Sequence, residues 1–400
     1  MQQDQAPNEP QFSGGNVHCV YLSGAGVLYT SGDSEHVDGI LGNGQNPPPR
    51  RTRAGTAYQA VPQTTSLPAV VASTCPSAAS PLLFLAASAS ISHNVAVSTA
   101  KQVYTWGDRA RALGHGEVGS LDSVSYTPKL VEALAGEKIV SAVAGRGATF
   151  AVSEEGKLYA WGCGYMGCLG VRCKTDRWGD PDWPEHSMPV VVVELAGKVV
   201  KAVAGGFNST LVLTGDGEVY SMGQGQRGQL GHEGFPHHEL LPRLIDSLRG
   251  KRVVHVSAGW DRSYASTDAG EFFSWGCGRE AALGHPGKEN EAVPRRVDAL
   301  SGAHTVKSAV GENHVIVLAL SGKVYTAGEG PGGVLGRGGR PGTPGLVRGE
   351  LEDVKVVAIG AGDSCCLAAA ADGKTYGWGW GVLFGKGEVS INEPVELVQL

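Results

Sequence analysis

The chain has no run of about 18 uninterrupted apolar residues, so no membrane-spanning helix is expected. Basic residues are not in excess: 33 Lys and Arg stand against 39 Asp and Glu, a formal net charge of −6. A surface built for nucleic acid is normally strongly basic, so direct nucleic-acid binding is not expected. There is no His-Glu-x-x-His, no glycine-rich loop closing on Gly-Lys-Ser/Thr and no nucleophile elbow. No catalytic constellation, cofactor or metal site is therefore predicted. Eight cysteines do not make a disulfide or zinc framework. Cys163, Cys168 and Cys173 lack the tight paired spacing of zinc ligands, and Cys163 and Cys277 share one position, directly after a Trp-Gly pair. Reduced structural thiols in a reducing compartment are expected. The segment Met1–Gln5 shows no basic region leading into an apolar core, so no secretory signal is predicted. The expected location is intracellular, cytoplasmic or nuclear, with the cilium as a further option.

What the chain has in abundance is glycine, 60 in 400 residues, at recurring offsets. A segment of the form Gly-x-apolar-Tyr/Phe-x-Trp-Gly returns about every 50 residues, the mark of an array or propeller. Gly156–Gly162 is the clearest copy; Gly217–Gly223, Gly270–Gly276, Gly322–Gly328, Gly373–Gly379, Val103–Gly107 and Gly26–Gly32 complete seven. Each is preceded by a strand of alternating apolar and small residues ending near Ala-Gly, such as Val200–Gly205, and by a short apolar strand such as Ser209–Leu213. Asp216-Gly217 and Asp372-Gly373 read as hairpin turns. A Leu-Gly step follows (Leu113-Gly114, Leu230-Gly231, Leu335-Gly336), with Phe384-Gly385 in the last copy, then an outer strand opened by proline, tolerated at an edge. His115, His232 and His285 recur after Leu-Gly and are expected to bond local groups.

The expected fold is all-β: a seven-bladed β-propeller of four-stranded antiparallel blades, closed by the C-terminal strand Pro394–Val398 joining the N-terminal blade. Residues 1–15 read as a flexible tail and 16–400 as the propeller. Two insertions interrupt it. A Pro/Ala/Ser/Thr-rich stretch at about 45–81 is expected to be disordered, and a loop at 172–188 carries Trp178 and Trp183. Gly162-x-Gly164-x-x-Gly167 and its counterparts from Gly223 and Gly328 fit a dinucleotide fingerprint, but none opens a helix of a βαβ unit, so they are read as turns.

With these motifs, and Gly228-Gln229-Leu230-Gly231-His232, the chain resembles the RCC1-like repeat family, named for the chromatin-bound exchange factor of the small GTPase Ran. The resemblance implies a propeller, while function differs among members. Exchange activity would draw on acidic residues in the loops after the Ala-Gly strands, here Asp261, Glu312 and Asp363, with the 172–188 insertion as a wedge. Residues 1–15 hold no Lys or Arg, unlike the exchange factor's basic tail. The plant ultraviolet receptor of the family stacks several tryptophans in repeated segments; this chain has one such segment, Gly259–Ser263, which cannot form a coupled cluster. The preferred reading is a non-catalytic protein-interaction scaffold. Its predicted partner-binding residues are Arg146, Phe207, Asn208, Trp260, Asp261, Arg262, Glu312, Asn313 and Asp363 in the loops, with Trp178 and Trp183 in the insertion. The alternatives are a guanine-nucleotide exchange factor for a Ran-like small GTPase, and a recognition or assembly subunit of a ciliary or ubiquitin-ligase complex.

Overall fold

Each Tyr-x-Trp-Gly segment is a strand, the third of four in a blade. The computed structural model describes residues 10–14, 18–32, 69–70, 83–116, 125–175, 181–183, 185–338, 342–380 and 390–397. They form seven four-stranded antiparallel sheets in sequence order, the seven blades of the expected propeller. In blade 4 the strands run Val200–Gly205, Ser209–Thr214, Val219–Gln224 and His238–Leu244, from the axis outward. Inner strands alternate small and apolar side chains because the blades converge at the axis. The second strands, such as Ala148–Ser153 and Ser209–Thr214, are buried throughout, since neighbouring blades cover both faces.

The repeat residues lock one blade to the next. Trp106, Trp161, Trp275 and Trp378 are fully buried. The Trp275 indole N–H of blade 5 donates to the Gln229 carbonyl of blade 4 at 3.0 Å, beside the Leu230-Gly231 step. A Cβ on Gly231, whose φ is +77°, would lie 3.0 Å from that indole nitrogen. Leu-Gly and Trp-Gly are thus two halves of one contact between blades, which is why they recur together. The recurrent histidines accept or donate locally as expected: His232 Nε2 meets Ser221 Oγ at 2.9 Å and His285 Nε2 meets Ser274 Oγ at 2.9 Å.

Four expectations need correction. The C-terminal strand Ser390–Leu397 pairs with Thr375–Trp380 of its own blade, not with the N-terminal blade. Gln11–Gly14, read as part of a flexible tail, is the inner strand of blade 1, so every blade is one contiguous segment and no strand is exchanged. The ring closes by side-chain packing: Phe12 covers Gly360 of blade 7, where any side chain would collide with it, and joins a cluster with Cys365, Leu367 and Leu397. Third, Ala69-Val70, inside the stretch expected to be disordered, pairs with Tyr29-Thr30 as the outer strand of blade 1. Fourth, the outer-strand prolines lie within the strands. In blade 3 the ladder jumps from Ala160↔Val190 to Gly162↔His186, so Pro189 sits where no ladder bond is required. The rest of the 45–81 stretch and residues 1–9 lie outside the described residues.

Candidate functional site

In each blade the loop after the inner strand and the loop after the Trp-Gly strand emerge at the same end of the propeller, because strands alternate in direction. The first of these loops is fixed by its backbone. The Asn208, Asp261 and Asn313 carbonyls accept the amides of Gln224, Cys277 and Glu329 at 2.9, 2.9 and 3.0 Å. Side chains at these positions are therefore presented from a rigid rim.

On this rim Phe207 of blade 4 stacks on Trp260 of blade 5, with centroids 5.1 Å apart and planes 19° apart. The Arg146 guanidinium of blade 3 lies 3.5 Å above the Phe207 ring centroid, a cation–π arrangement. Trp260 has φ +48°, a left-handed conformation that bulky residues rarely adopt. That geometry aims its carbonyl at the Phe207 amide, 3.0 Å away, and ties the two blades at the stack. On the far side stands Asp363. Burial and then the Glu312 charge push its carboxyl up to about 6, opposed by the facing Trp260 indole N–H. The row Arg146–Phe207–Trp260–Asp363 borders the mouth of the axial channel, a cavity of about 260 Å³ also lined by Phe12 and His255.

The other predicted residues fall into different roles. Arg262 is buried at 4% exposure. It donates to the carbonyls of Cys277, Arg279 and Glu312 at 3.1, 2.9 and 2.6 Å and pairs with Glu280 at 2.6 Å. Arg262 thus positions the loops of blades 5 and 6, with four of its five N–H groups spent inside the fold. Asp261 is engaged by Arg227 at 3.2 Å and Gln229 at 3.1 Å, and burial raises its carboxyl above the usual range. Asn208 donates to Gln224 Oε1 at 3.1 Å. Glu312 and Asn313 are half-buried beside Asp363. Trp183 packs on Tyr165 at 5.7 Å and on His238 of blade 4 at 5.4 Å, so it lies along blades 3 and 4 on the same end. Trp178 lies outside the described residues.

Sequence reasoning passed over Arg109 and Tyr165, which line a second cavity with Arg146 and Phe207. Both follow a Trp-Gly pair by two or three residues, the one signal that marked them. Ion pairs occur at both ends of the propeller, among them Arg227–Asp261 and Lys288–Glu329 at the loop end. At the hairpin end Lys101–Glu154, Lys198–Glu218 and Lys251–Glu271 pair at 2.6, 2.6 and 3.1 Å. At the loop end Arg109, Arg146 and Glu312 form no ion pair among the described residues. Among the described residues no group of three His, Cys, Asp or Glu is placed to hold a metal ion, and no helix is long and apolar enough to cross a membrane.

The comparisons with known proteins agree with this architecture. The model of the RCC1-like domain matches residues 83–399. The chain is 34% identical over 307 residues to the ultraviolet-B receptor UVR8 of Arabidopsis thaliana, covering 76% of this chain and 66% of that protein. It is 35% identical over 283 residues to the human E3 ubiquitin-protein ligase HERC2, covering 70% of this chain but 6% of that much longer protein. Among solved structures, human WBSCR16 superposes with a TM-score of 0.73 at 20% identity, over 90% of this chain and 92% of that one. Prp20p of Saccharomyces cerevisiae gives 0.69 at 21% identity, over 88% and 80%. The chain belongs to the RCC1-like domain family.

Proposed function

We propose that this RCC1-like propeller is a non-catalytic interaction scaffold that recognises protein partners through its loop end, with the Phe207–Trp260 stack as anchor. One observation carries the reading: two stacked aromatic rings from separate blades stand half-buried at the channel mouth. They lie between an exposed guanidinium and acidic side chains. Aromatic anchors with a polar rim are the usual make-up of a protein-binding hot spot. The strained backbone at Trp260 adds weight, since such strain concentrates at functional positions. Trp183, resting on Tyr165, extends the surface outward along blades 3 and 4; Trp178 is proposed to act with it. The free thiols Cys163, Cys168, Cys173, Cys277 and Cys366 support an intracellular, reducing setting.

A second reading is nucleotide exchange on a small GTPase. It is favoured by the partly buried Asp363–Glu312 pair and by the fold shared with Prp20p, whose binding to Gsp1p and histones has been described. The likeness to HERC2 supports a role within a ligase assembly, with the chemistry supplied by a partner. Incubating the full chain with small GTPases loaded with labelled nucleotide separates these readings. Unchanged release of nucleotide from Ran-type and Rab-type GTPases is expected of a scaffold; release accelerated by orders of magnitude establishes exchange instead.

A further inference from the structure

The first residue of each second strand occupies one repeated position, and among the described residues it is, in three blades, a long polar side chain that reaches the following blade. His93 Nε2 of blade 2 meets Thr149 Oγ1 of blade 3 at 2.8 Å. Arg262 of blade 5 donates to the Glu312 carbonyl of blade 6 at 2.6 Å. His314 Nε2 of blade 6 lies 3.2 Å from Cys366 Sγ of blade 7. Blades 3 and 4 carry Ala148 and Ser209 at this position. No such spoke crosses from blade 3 to blade 4, and a cleft of about 230 Å³ opens there.

Its lining points to an anion. Arg109, Arg146, Tyr165 and Asn208 supply the polar groups, and among the described residues no Asp or Glu lines it. The Arg146 guanidinium is held below its ordinary range by burial and then by the charge of Arg109. Two cations so placed, with no counter-ion among the described residues, repel each other. An entering carboxylate oxygen offsets that repulsion. With its ring-stacked face on Phe207, Arg146 keeps its N–H edge for that oxygen.

We propose that the cleft between blades 3 and 4 is the socket for an aspartate or glutamate side chain of a protein partner, held by Arg109 and Arg146. The cleft is smaller than a typical small-molecule pocket of about 300 Å³ or more, and suits one side chain. A nucleic-acid strand is disfavoured because Glu312 and Asp363 stand farther along the same rim and would repel a polyanion. A peptide instead places its acid in the cleft and lays neighbouring apolar residues on Phe207 and Trp260. The socket thus rests on the reading of the loop end as a protein-binding surface.

The test selects displayed random peptides on the immobilised full chain and then measures the best binder in solution. Peptides sharing one Asp or Glu are expected. Replacing that residue by Asn or Gln should weaken binding to the native chain about tenfold or more, about 1.4 kcal/mol. Arg109→Ala/Arg146→Ala should lose the same factor and become indifferent to the replacement. Ala148→His, which supplies the missing spoke and fills the cleft, should do likewise while leaving the melting temperature in place. Enriched peptides with no shared acid, an acid whose removal costs the arginine variant as much as the native chain, no enriched peptide, or tighter binding of oligo(dT) would each overturn the socket. The underlying reading separates cleanly. Loss of peptide binding in Trp260→Ala but not in the arginine variant retains the loop end and rejects the socket; the reverse pattern rejects the aromatic anchor and retains the socket.

Discussion

Arg146 holds its guanidinium 3.5 Å above the ring centroid of Phe207, so a cation from one blade caps an aromatic stack begun by the next two. Recognition at this end of the propeller is built across blade seams, from residues in register but not in repeat. Each member is checkable alone.

Trp260 separates binding from stability. Trp260→Ala should abolish partner capture, with a loss of about 2 kcal/mol or more expected of a central aromatic anchor. Trp260→Gly should be equally defective in binding yet more stable than Trp260→Ala by about 1 kcal/mol, because glycine accepts the φ of +48° without strain. Equal melting temperatures for the two variants would contradict a strained backbone there.

Arg262 should behave as a keystone of the fold. Removing its side chain leaves three carbonyls and Glu280 without their donor in a buried setting. Arg262→Ala should cost about 3 kcal/mol in denaturant unfolding, and Arg262→Lys should recover only part of it, since one ammonium cannot serve the same fork. A neutral Arg262→Ala would return this residue to the binding surface.

Acid should destabilise the propeller through its buried histidines. Burial holds the His115 and His232 imidazoles down at about 4, below the ordinary 6.5. The unfolded chain therefore takes up protons that the folded chain refuses, and stability should fall as pH drops from about 6.5 towards 4. Asp363 works the other way. Its carboxyl is raised from 3.8 to about 6, so the folded state binds the extra proton and its contribution fades as pH rises through that window. Asp363→Asn should be more stable than the native chain at pH 7 and lose that advantage near pH 4. Denaturation midpoints across pH test both signs.

Gly231→Ala tests the seam between blades 4 and 5. The methyl would sit 3.0 Å from Trp275 Nε1 and force an L residue to φ +77°. A loss of about 2 kcal/mol is expected from the clash and strain together, read as a lowered melting temperature.

The seam contacts were legible because Trp-Gly and Leu-Gly recur with the blade. The loop residues were legible in position but not in role. Arg262 looked like a surface charge, although its positional equivalents His93 and His314 hinted at a spoke. The inner strand Gln11–Gly14 escaped notice because Gln-Phe-Ser-Gly offers one large apolar residue and no repeat glycine before it. Its partner is blade 7, about 350 residues away in sequence, a distance at which local pattern is silent. Reading the last strand as the ring's closure followed from missing the first. The cleft between blades 3 and 4 arises from what Ala148 is not, and becomes visible only once the other spokes are seen in place.

The most direct measurement places a photo-crosslinking amino acid at Arg146 or Asn208 on the loop end, and at Glu155 or Asp216 on the hairpin end, of the full chain in its native cells. Partners should crosslink from the loop-end positions and vanish when Trp260→Ala is added, with the hairpin-end positions giving none. Partners trapped equally from the hairpin end, or undiminished by Trp260→Ala, would contradict recognition through the loop end.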